Sequence, residues 1–472
     1  MHCRMNTYRL SLFIPVLTAI ALAGACASDD SNVTGASGAG AGGSTSHAGA
    51  SGHAGSPAAA GGTSGTAGKS GTGGGPSGTG GGPSGTGGAG GGAPGGTGGS
   101  AGADDGGNPG GASGDTGNPA YAGSGGEAGS SGEALQSFAY IATFSNGLLP
   151  VSIDSATGKL SALPGSPINK PAQLYAVSVD AAQRFVYTAE QSTKKINTYA
   201  IGADGSLPAQ PNSSTTILGR PTSLTLDGKG RFAYVASSDE DKSVYTFKIE
   251  PTTGALTASG EALKLEAASP AYVAADPSGK FVYLSQNGVF GLRGYRIDQT
   301  TGALSELQSS PYGLAQVFSG AIVFHPAGGF LFSAGMGLNA FAIDAASGAL
   351  TLVEGSPFST QVASDPSATN IAIEPRGKYL YATNFSNPPR VFGFAIDSLS
   401  GKLTPVPGEP IKGGSPYSVG VEPAGRFVFA GNDDGTTSAF SLQSSNGTLH
   451  EIEGSPFQIG GLQPEFAFAT AH

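Results

Sequence analysis

Tryptophan is absent from this chain of 472 residues, and cysteine occurs only at Cys3 and Cys26. Because both cysteines lie near the N-terminus, the rest of the chain cannot form an intramolecular disulfide, and its stability must come from packing. Charge is also scarce: 23 Lys and Arg stand against 33 Asp and Glu, which gives a net charge of −10. No basic stripe is present to neutralise phosphates, so we expect no nucleic-acid partner.

Long apolar runs are also scarce, and the clearest one, Leu10–Ala23, is too short for a comfortable membrane span. Basic residues precede it and small residues follow it, which is typical of an export signal. Cys26 resembles the acylated cysteine of the bacterial lipoprotein lipobox, although Ala23 stands where leucine is preferred. We predict a lipoprotein-type signal peptide at residues 1–25, a lipid anchor on Cys26, and a location at the cell envelope, outer membrane or cell surface. Ordinary cleavage nearby would instead release a soluble protein.

Residues 26–134 are dominated by Gly, Ser, Ala, Thr and Pro. They lack the large apolar side chains that could offset the entropy cost of ordering, so we predict a disordered linker. A Gly/Ser-rich coil of this length has an r.m.s. reach of about 50–60 Å, which suits a tether that holds a domain away from a membrane. A low-complexity insertion without a selected length is the alternative.

One short turn recurs seven times after the linker: a polar residue, glycine, any residue, then leucine. The turn glycines are Gly158, Gly205, Gly254, Gly302, Gly348, Gly401 and Gly447. A spacing of about 48 residues indicates one structural unit copied around a ring or along an array.

The repeat unit reads as a four-stranded blade. Its type copy, Pro270–Leu304, contains short alternating apolar runs separated by Gly, Pro and Asp turns. The first copy lacks an inner strand, and Leu462–Phe468 looks like the missing one. We therefore predict an all-β fold for residues 135–472: a seven-bladed β-propeller of four-stranded antiparallel blades, closed by a C-terminal strand that joins blade one. An open array would leave exposed sheet edges and need capping repeats.

The two faces of such a ring differ. The D-P-x-G turns and the glycine–leucine turns share one face, which we call the turn face. Their Asp, Gly and Pro residues are better explained as turn chemistry than as calcium ligands. The variable loops between second and third strands share the opposite face, the mouth face, with the starts of the inner strands. We expect a functional site there, over the channel mouth.

One residue per blade should point towards the channel mouth at the start of the inner strand. Counting eight residues back from the first-turn glycine, with Glu465 placed by its preceding proline, gives these ring positions: Tyr175, Thr222, Ala271, Gly320, Thr369, Tyr417 and Glu465. Tyr417, Glu465 and Tyr175 would fall in the adjacent blades seven, one and two. This sector is polar and aromatic, whereas the sector of Ala271 and Gly320 has no large or polar side chain at the ring positions.

Candidate site residues cluster in the polar sector. Two tyrosines beside carboxylates could stack on and hydrogen-bond a sugar-like ligand, so we predict ligand-binding roles for them and for the nearby Asn432 and Asp433. Glu465 and Glu190 are the candidate catalytic residues, with Glu465 as a possible general base. Alternatively, Glu465 is only a solvated residue at the channel mouth.

Residues 138–470 resemble the seven-bladed lactonase family, which includes bacterial 6-phosphogluconolactonase and fungal carboxy-muconate cyclase. The motifs that carry the resemblance are the D-P-S-G-K-F-V-Y and F-A-I-D-x-x-S-G segments and the G-S-P-F segments: Asp276–Tyr283, Phe341–Gly348, Phe394–Gly401, Gly355–Phe358 and Gly454–Phe457. All of these motifs are structural. The resemblance implies the propeller fold and a lactone hydrolase activity.

The family's catalytic pattern is not matched. It consists of a Pro-His, a Gly-Pro-Arg-His and an Asn-Glu, and the corresponding positions here are Ala271, Gly320 and Met336. Glu190 and Gln191 fall in an Asn-Glu slot of another blade, which is the nearest partial match. A lactone hydrolase needs a base for water and a donor for the oxyanion, and the usual residues for both are missing.

These observations favour an exported, lipid-anchored member of the family that binds a small molecule, sugar-like or lactone, or a protein partner at the channel mouth. A lactonase of carbohydrate metabolism with a shifted active site is the second hypothesis, and a surface scaffold is the third. The sequence has no metal-ligand spacing, no Ser-His-Asp arrangement and no phosphate-binding glycine loop, so we expect no metal site and no cofactor.

Overall fold

A computed structural model describes residues 136–470, apart from 171, 240, 267, 287–290, 314–319, 361–366, 385–388, 409–410 and 413 and the side chain of residue 412. The predictions of a signal peptide at 1–25, of lipidation at Cys26 and of a linker at 26–134 lie outside these residues. Among the described residues, no helix is long and apolar enough to cross a bilayer.

The described strands form seven antiparallel sheets, one per repeat, and each sheet has a path of four strands. The C-terminal strand is the inner strand of blade one: Ala142 pairs with Glu465 and Ser137 with Thr470. The fold class and the ring closure are therefore confirmed.

Strand positions repeat from blade to blade, and each set below runs from blade one to blade seven. The inner strands are β31 (Glu465–Thr470), β4 (Leu174–Val179), β8 (Pro221–Leu226), β13 (Pro270–Ala275), β17 (Ile322–Phe324), β21 (Asn370–Ile373) and β26 (Pro416–Val421). The second strands are β1 (Ser137–Thr143), β5 (Phe185–Glu190), β9 (Phe232–Ser237), β14 (Phe281–Gln286), β18 (Phe330–Gly335), β22 (Tyr379–Asn384) and β27 (Phe427–Asn432).

The third strands are β2 (Gly147–Ile153), β6 (Lys195–Ala200), β10 (Ser243–Ile249), β15 (Leu292–Ile297), β19 (Gly337–Ile343), β23 (Arg390–Ile396) and β28 (Thr436–Leu442). The outer strands are β3 (Leu160–Ala162), β7 (Ser213–Thr216), β11 (Leu256–Ala258), β16 (Leu304–Glu306), β20 (Leu350–Leu352), β24 (Leu403–Pro405) and β29 (Leu449–Glu451). Short additional strands pair with the third strands of blades three, six and seven: β12 (Leu263–Lys264), β25 (Ile411–Lys412) and β30 (Phe457–Gln458).

Blade two departs from the repeat. In the other blades the outer strand begins at the leucine of the glycine–leucine turn, but in blade two β7 begins at Ser213, after Leu207. Pro208 and Pro211 lie between them, and proline cannot donate a ladder hydrogen bond. The Asn212 side chain instead accepts a bond from Ala200 N at 2.7 Å, which partly replaces the missing strand.

The hydrophobic core lies between neighbouring blades. The second strands are rich in Val, Tyr, Phe and Ala, and most are buried along their whole length because a strand flanks each edge and a blade covers each face. One interblade cluster, for example, joins Tyr187 and Ile196 of blade two to Val235 and Phe247 of blade three.

Each turn glycine packs on an aromatic ring at the start of the preceding blade's second strand. All seven have φ between +70° and +78°, a region that disfavours side chains. A Cβ added to any of them would lie 2.4–2.6 Å from a ring carbon. The pairs are Gly158 with Phe427, Gly205 with Phe138, Gly254 with Phe185, Gly302 with Phe232, Gly348 with Phe281, Gly401 with Phe330 and Gly447 with Tyr379. We call each of these contacts a glycine–ring latch.

A second contact reinforces four of these latches. The tyrosine two residues after the ring donates its hydroxyl to the glycine carbonyl of the next blade, over 2.6–3.0 Å. The four pairs are Tyr140 with Gly205, Tyr234 with Gly302, Tyr283 with Gly348 and Tyr381 with Gly447. The recurring turn is thus the joint between blades, and it lies on the turn face as expected.

Both ends of the described chain also lie on the turn face. The Gln136 side chain donates to Ile153 O at 2.6 Å, and the Thr470 backbone nitrogen donates to Gln183 Oε1 at 2.6 Å. Gln183 has φ +55° in the first turn of blade two, where the other copies use glycine. The closing strand is therefore bonded to both blade one and blade two.

Candidate functional site

The inner strands carry a β-bulge near the mouth face in four blades. The register of the inner strand with its neighbour shifts at the predicted ring positions Tyr175, Thr222, Ala271 and Tyr417. A bulge adds one unpaired residue and re-aims the side chains around it, which is common beside binding sites.

Five polar or aromatic side chains from five blades meet in the channel near these bulges. We call them the channel cluster: Tyr175, Tyr272, Asn370, Tyr417 and Glu465. Asn370 is buried and donates its Nδ2 to Glu465 Oε1 at 3.5 Å. The other four side chains are half-buried, since they face the channel. The cluster brings together three of the sequence-predicted residues, those at positions 175, 417 and 465.

Glu465 is half-buried and has one described hydrogen-bond partner. Burial raises the pKa of Glu465 to about 8, and the hydrogen bond from Asn370 opposes that shift only in part. The carboxyl is therefore mainly protonated at neutral pH. A protonated carboxyl can act as an acid or as a hydrogen-bond donor, whereas a general base must first lose that proton.

The three tyrosines remain protonated over the same pH range. Burial raises the pKa of Tyr272 and of Tyr417, and the nearby Glu465 adds to the shift in both. Burial also raises the pKa of Tyr175, although a hydrogen bond from Gln191 and the charge of Arg220 oppose the rise. The cluster thus presents hydroxyl donors around an uncharged carboxyl.

An arginine stands at the rim beside Tyr175. Arg220 binds Asp239 in a bidentate pair, with Nε at 2.7 Å and Nη2 at 2.8 Å from the two carboxylate oxygens. Phe144 packs edge-on against the Tyr175 ring, with 5.5 Å between centroids. This cation is therefore already paired with a carboxylate.

The other candidate residues lie at the ends of second strands. Glu190 is buried and accepts hydrogen bonds from Ser192 and Asn197 of blade two and from Asn169. Asn169 follows Ile168, which pairs with Leu148 of blade one, so the carboxylate is engaged where the two blades meet.

Asn432 and Asp433 are placed differently from each other. Asn432 is fully buried and donates Nδ2 to Thr436 and Ser438, so its amide orders the loop of blade seven. Asp433 lies closer to the cluster, because its charge contributes to the raised pKa of Tyr417.

Sequence reasoning missed Tyr272, Asn370 and Arg220. Tyr272 directly follows the ring position Ala271, and Asn370 directly follows Thr369. In blade four a bulge at Ala271 shifts the register, so a fixed count from the turn glycine cannot tell which of two neighbours reaches the channel. Testing both residues at each ring position for polar and aromatic types would have found Tyr272 and Asn370.

Ala271, Gly320 and Met336 are the sequence-predicted counterparts of the family pattern, and that correspondence stays a prediction. Ala271 is buried at its bulge. A Cβ on Gly320 would lie 2.6 Å from Ala334, so the site has no room for a side chain. Met336 is half-buried.

In the described part of the chain, no group of three or more His, Cys, Asp or Glu is placed so that it could hold a metal ion. The turn aspartates hold the turns instead. Asp298 Oδ1, for example, accepts from the backbone nitrogen and the hydroxyl of Thr301, both at 2.7 Å.

Comparison with known proteins places this fold among lactonases. The family model for the seven-bladed β-propeller lactonases matches residues 209–310 and 272–461, which together span more than half of the chain. No match was found among curated proteins.

Solved structures with the same fold are distant in sequence. A candidate 6-phosphogluconolactonase from Bacteroides fragilis is 20% identical with a TM-score of 0.61, over 72% of this chain and 100% of that one. A periplasmic gluconolactonase from Pseudomonas aeruginosa is 18% identical with a TM-score of 0.56, over 71% of this chain and 100% of that one.

Proposed function

Because the chain belongs to the seven-bladed β-propeller lactonase family, we propose that it binds a small sugar-like molecule or lactone at the mouth of its channel. The observation that carries the proposal is the channel cluster, which gathers three tyrosines, an amide and a carboxyl from five blades. Aromatic faces with hydroxyl donors suit a polyhydroxylated ligand, since they offer both stacking and hydrogen bonds.

An uncharged ligand fits the cluster best. Glu465 is mainly protonated at neutral pH, and Arg220 is already paired with Asp239. A phosphorylated sugar would therefore find no free cation among the described residues of the cluster.

The cell envelope is the proposed setting. An export signal with Cys26 as lipid anchor, followed by a linker over residues 26–134, would hold the propeller at a membrane. This part of the proposal rests on the sequence alone.

A lactonase with a shifted active site is the second candidate function. It is favoured by the names of the two structural neighbours. It is also favoured by the carboxyl of Glu465, whose pKa is about 8 and which lies beside hydroxyl donors. In that case Tyr175, Tyr417 and Glu465 would act on the substrate, with Glu190 as a further candidate. A surface scaffold without a ligand is the third.

Binding and hydrolysis can be measured separately. We expect D-glucono-1,5-lactam, a stable neutral lactone mimic, to bind in calorimetry, and Tyr417→Ala to weaken binding at least tenfold. Leu399→Ala, at an exposed residue on the turn face, should leave the affinity unchanged. Absence of lactam binding would contradict the proposed ligand class and favour the scaffold.

Hydrolysis distinguishes the two ligand-binding hypotheses. D-Glucono-1,5-lactone and its 6-phosphate are offered, and proton release is followed in a weakly buffered solution. Turnover of either lactone that Glu465→Gln abolishes would overturn the non-catalytic function and establish the lactonase.

A further inference from the structure

We propose that Glu465 serves the channel cluster as an uncharged hydrogen-bond donor, and that the ligand it selects is a neutral molecule presenting a carbonyl oxygen. The inference rests on the proposed ligand site and adds the chemistry by which the ligand is recognised. It gives Glu465 the opposite role to a general base, because the functional form of the carboxyl is the protonated one.

Among the described residues, one hydrogen bond reaches the Glu465 carboxyl, and its second oxygen serves this role. Asn370 Nδ2 donates to Oε1 over 3.5 Å, and in the described part of the chain no ion pair involves Glu465. An ionised carboxylate without a cation or strong donors is costly in a partly dry channel. A protonated carboxyl can accept from Asn370 and donate its own proton to a ligand.

The elements around Glu465 bring hydroxyls and an amide instead of cations. Tyr175 comes from β4, Tyr272 from β13, Asn370 from β21 and Tyr417 from β26, while the paired residue on β1 is Ala142.

Two charged side chains act on the tyrosines of the cluster. Asp433, an acid, is near Tyr417, and Arg220 is near Tyr175 but bound to Asp239. Neither group supplies an unpaired cation for a ligand that carries a carboxylate or a phosphate.

The donors define the ligand class. A protonated carboxyl beside tyrosine hydroxyls is a group of donors, so the cluster suits a ligand that presents acceptor oxygens. A neutral carboxyl and a tyrosine hydroxyl directed at one carbonyl oxygen form a known arrangement for polarising that carbonyl without a cation. A neutral lactone, lactam or ketone fits, whereas a sugar acid does not.

The test measures affinity for D-glucono-1,5-lactam against pH, since the lactam keeps the carbonyl but resists hydrolysis. We expect constant affinity at pH 6 to 7 and a loss of about tenfold per pH unit well above pH 8, because the donor is then ionised. Glu465→Gln keeps an uncharged donor and should bind within about threefold of wild type at pH 6.5, with the alkaline loss removed.

Three comparisons sharpen the result. Glu465→Ala should lose at least tenfold at pH 6.5, and Glu261→Gln, the same change at an exposed surface residue, should keep the wild-type profile. 1,5-Anhydroglucitol, which lacks the carbonyl, should bind at least tenfold more weakly than the lactam and without the alkaline loss.

The outcomes separate this inference from the function on which it rests. Lactam binding that is indifferent to pH, or a Gln variant as weak as the Ala variant, overturns the donor role alone. No lactam binding at any pH overturns the proposed ligand class and this inference together. Infrared difference spectra of the ligand-free protein give a second readout, because a protonated carboxyl at pH 7 should show a carbonyl stretch that Glu465→Gln removes.

Discussion

Glu465 links folding to pH, because its carboxyl holds a proton more tightly in the folded ring than in the unfolded chain. Its ordinary pKa of 4.5 becomes about 8 in the channel. The stability associated with this group is fully present below pH 4.5. It is lost progressively as pH rises from about 4.5 to about 8, because the unfolded chain then releases the proton first.

Glu465→Gln should therefore stabilise the protein at alkaline pH. The full linkage would be about 5 kcal/mol at 1.36 kcal/mol per pH unit, but channel water reaches the half-buried carboxyl, so we expect about 2 kcal/mol at pH 8. Near pH 4.5 the two proteins should unfold alike. Denaturant unfolding at both pH values checks this, and equal gains at both would refute the linkage.

At the scale of single residues, the sequence predicts which side chains reach the channel better than it predicts their protonation and chemical role. Tyr417 could be placed in the channel by its count from the turn glycine, and Glu465 because it follows a proline as Tyr417 does. Tyr272 could not, because a bulge decides whether a residue or its neighbour reaches the channel. The raised pKa of Glu465 depends on neighbours from four other blades, which are far apart along the chain.

Among structural elements, the glycine–ring latch explains why the recurring turn keeps its glycine. Positive φ alone would favour glycine, but the aromatic ring of the preceding blade excludes even a methyl group. The turn glycine thus serves two blades at once. It allows the backbone turn in its own blade, and it makes room for the aromatic ring of the preceding blade.

Gly254→Ala should destabilise the protein more than Gly230→Ala. Both glycines have similar φ, +70° and +66°, but only Gly254 lies against a ring, that of Phe185 at 2.6 Å, whereas nothing lies within 4 Å of an added Cβ on Gly230. We expect a cost of about 1 kcal/mol at Gly230 from φ alone and about 3 kcal/mol at Gly254.

A double substitution separates the two contributions. Combining Gly254→Ala with Phe185→Ala should cost less than the sum of the single changes, because the clash disappears with the ring. Additive unfolding free energies would show that the latch contributes nothing beyond φ.

The repeat also shows where sequence patterns stop being sufficient. Spacing and alternation predict the strands in most blades, and the structure confirms them. In blade two the fourth strand starts late, since Pro208 and Pro211 interrupt the ladder and Asn212 replaces part of it. A repeat pattern describes an average blade and passes over such local substitutions.

At the level of the whole molecule, the closing strand holds the ring together. Deleting residues 465–472 would expose the edge of β1 and uncover Phe429, against which Phe468 packs. We expect this truncated protein to aggregate or to lose cooperative unfolding, as measured by size-exclusion chromatography and thermal denaturation.

A circular permutant provides the matched control. Joining Thr470 to Gln136 by a short linker, with new ends at Gly260 and Glu261 in a surface loop, keeps every pairing of the closing strand. It should fold and unfold like the parent protein. A truncated chain that remains monomeric and unfolds cooperatively would mean that the closing strand is dispensable.

The pairing of Ser137 with Thr470 also has a mechanical consequence. The N-terminal end of β1 and the C-terminal end of β31 lie side by side, and the two strands run antiparallel. Tension applied to both ends pulls on the pair at Ser137 first and then on each following pair, up to Ala142 with Glu465. The ring therefore yields by unzipping, one hydrogen-bonded pair at a time, and Glu465 is the last residue to leave its partner.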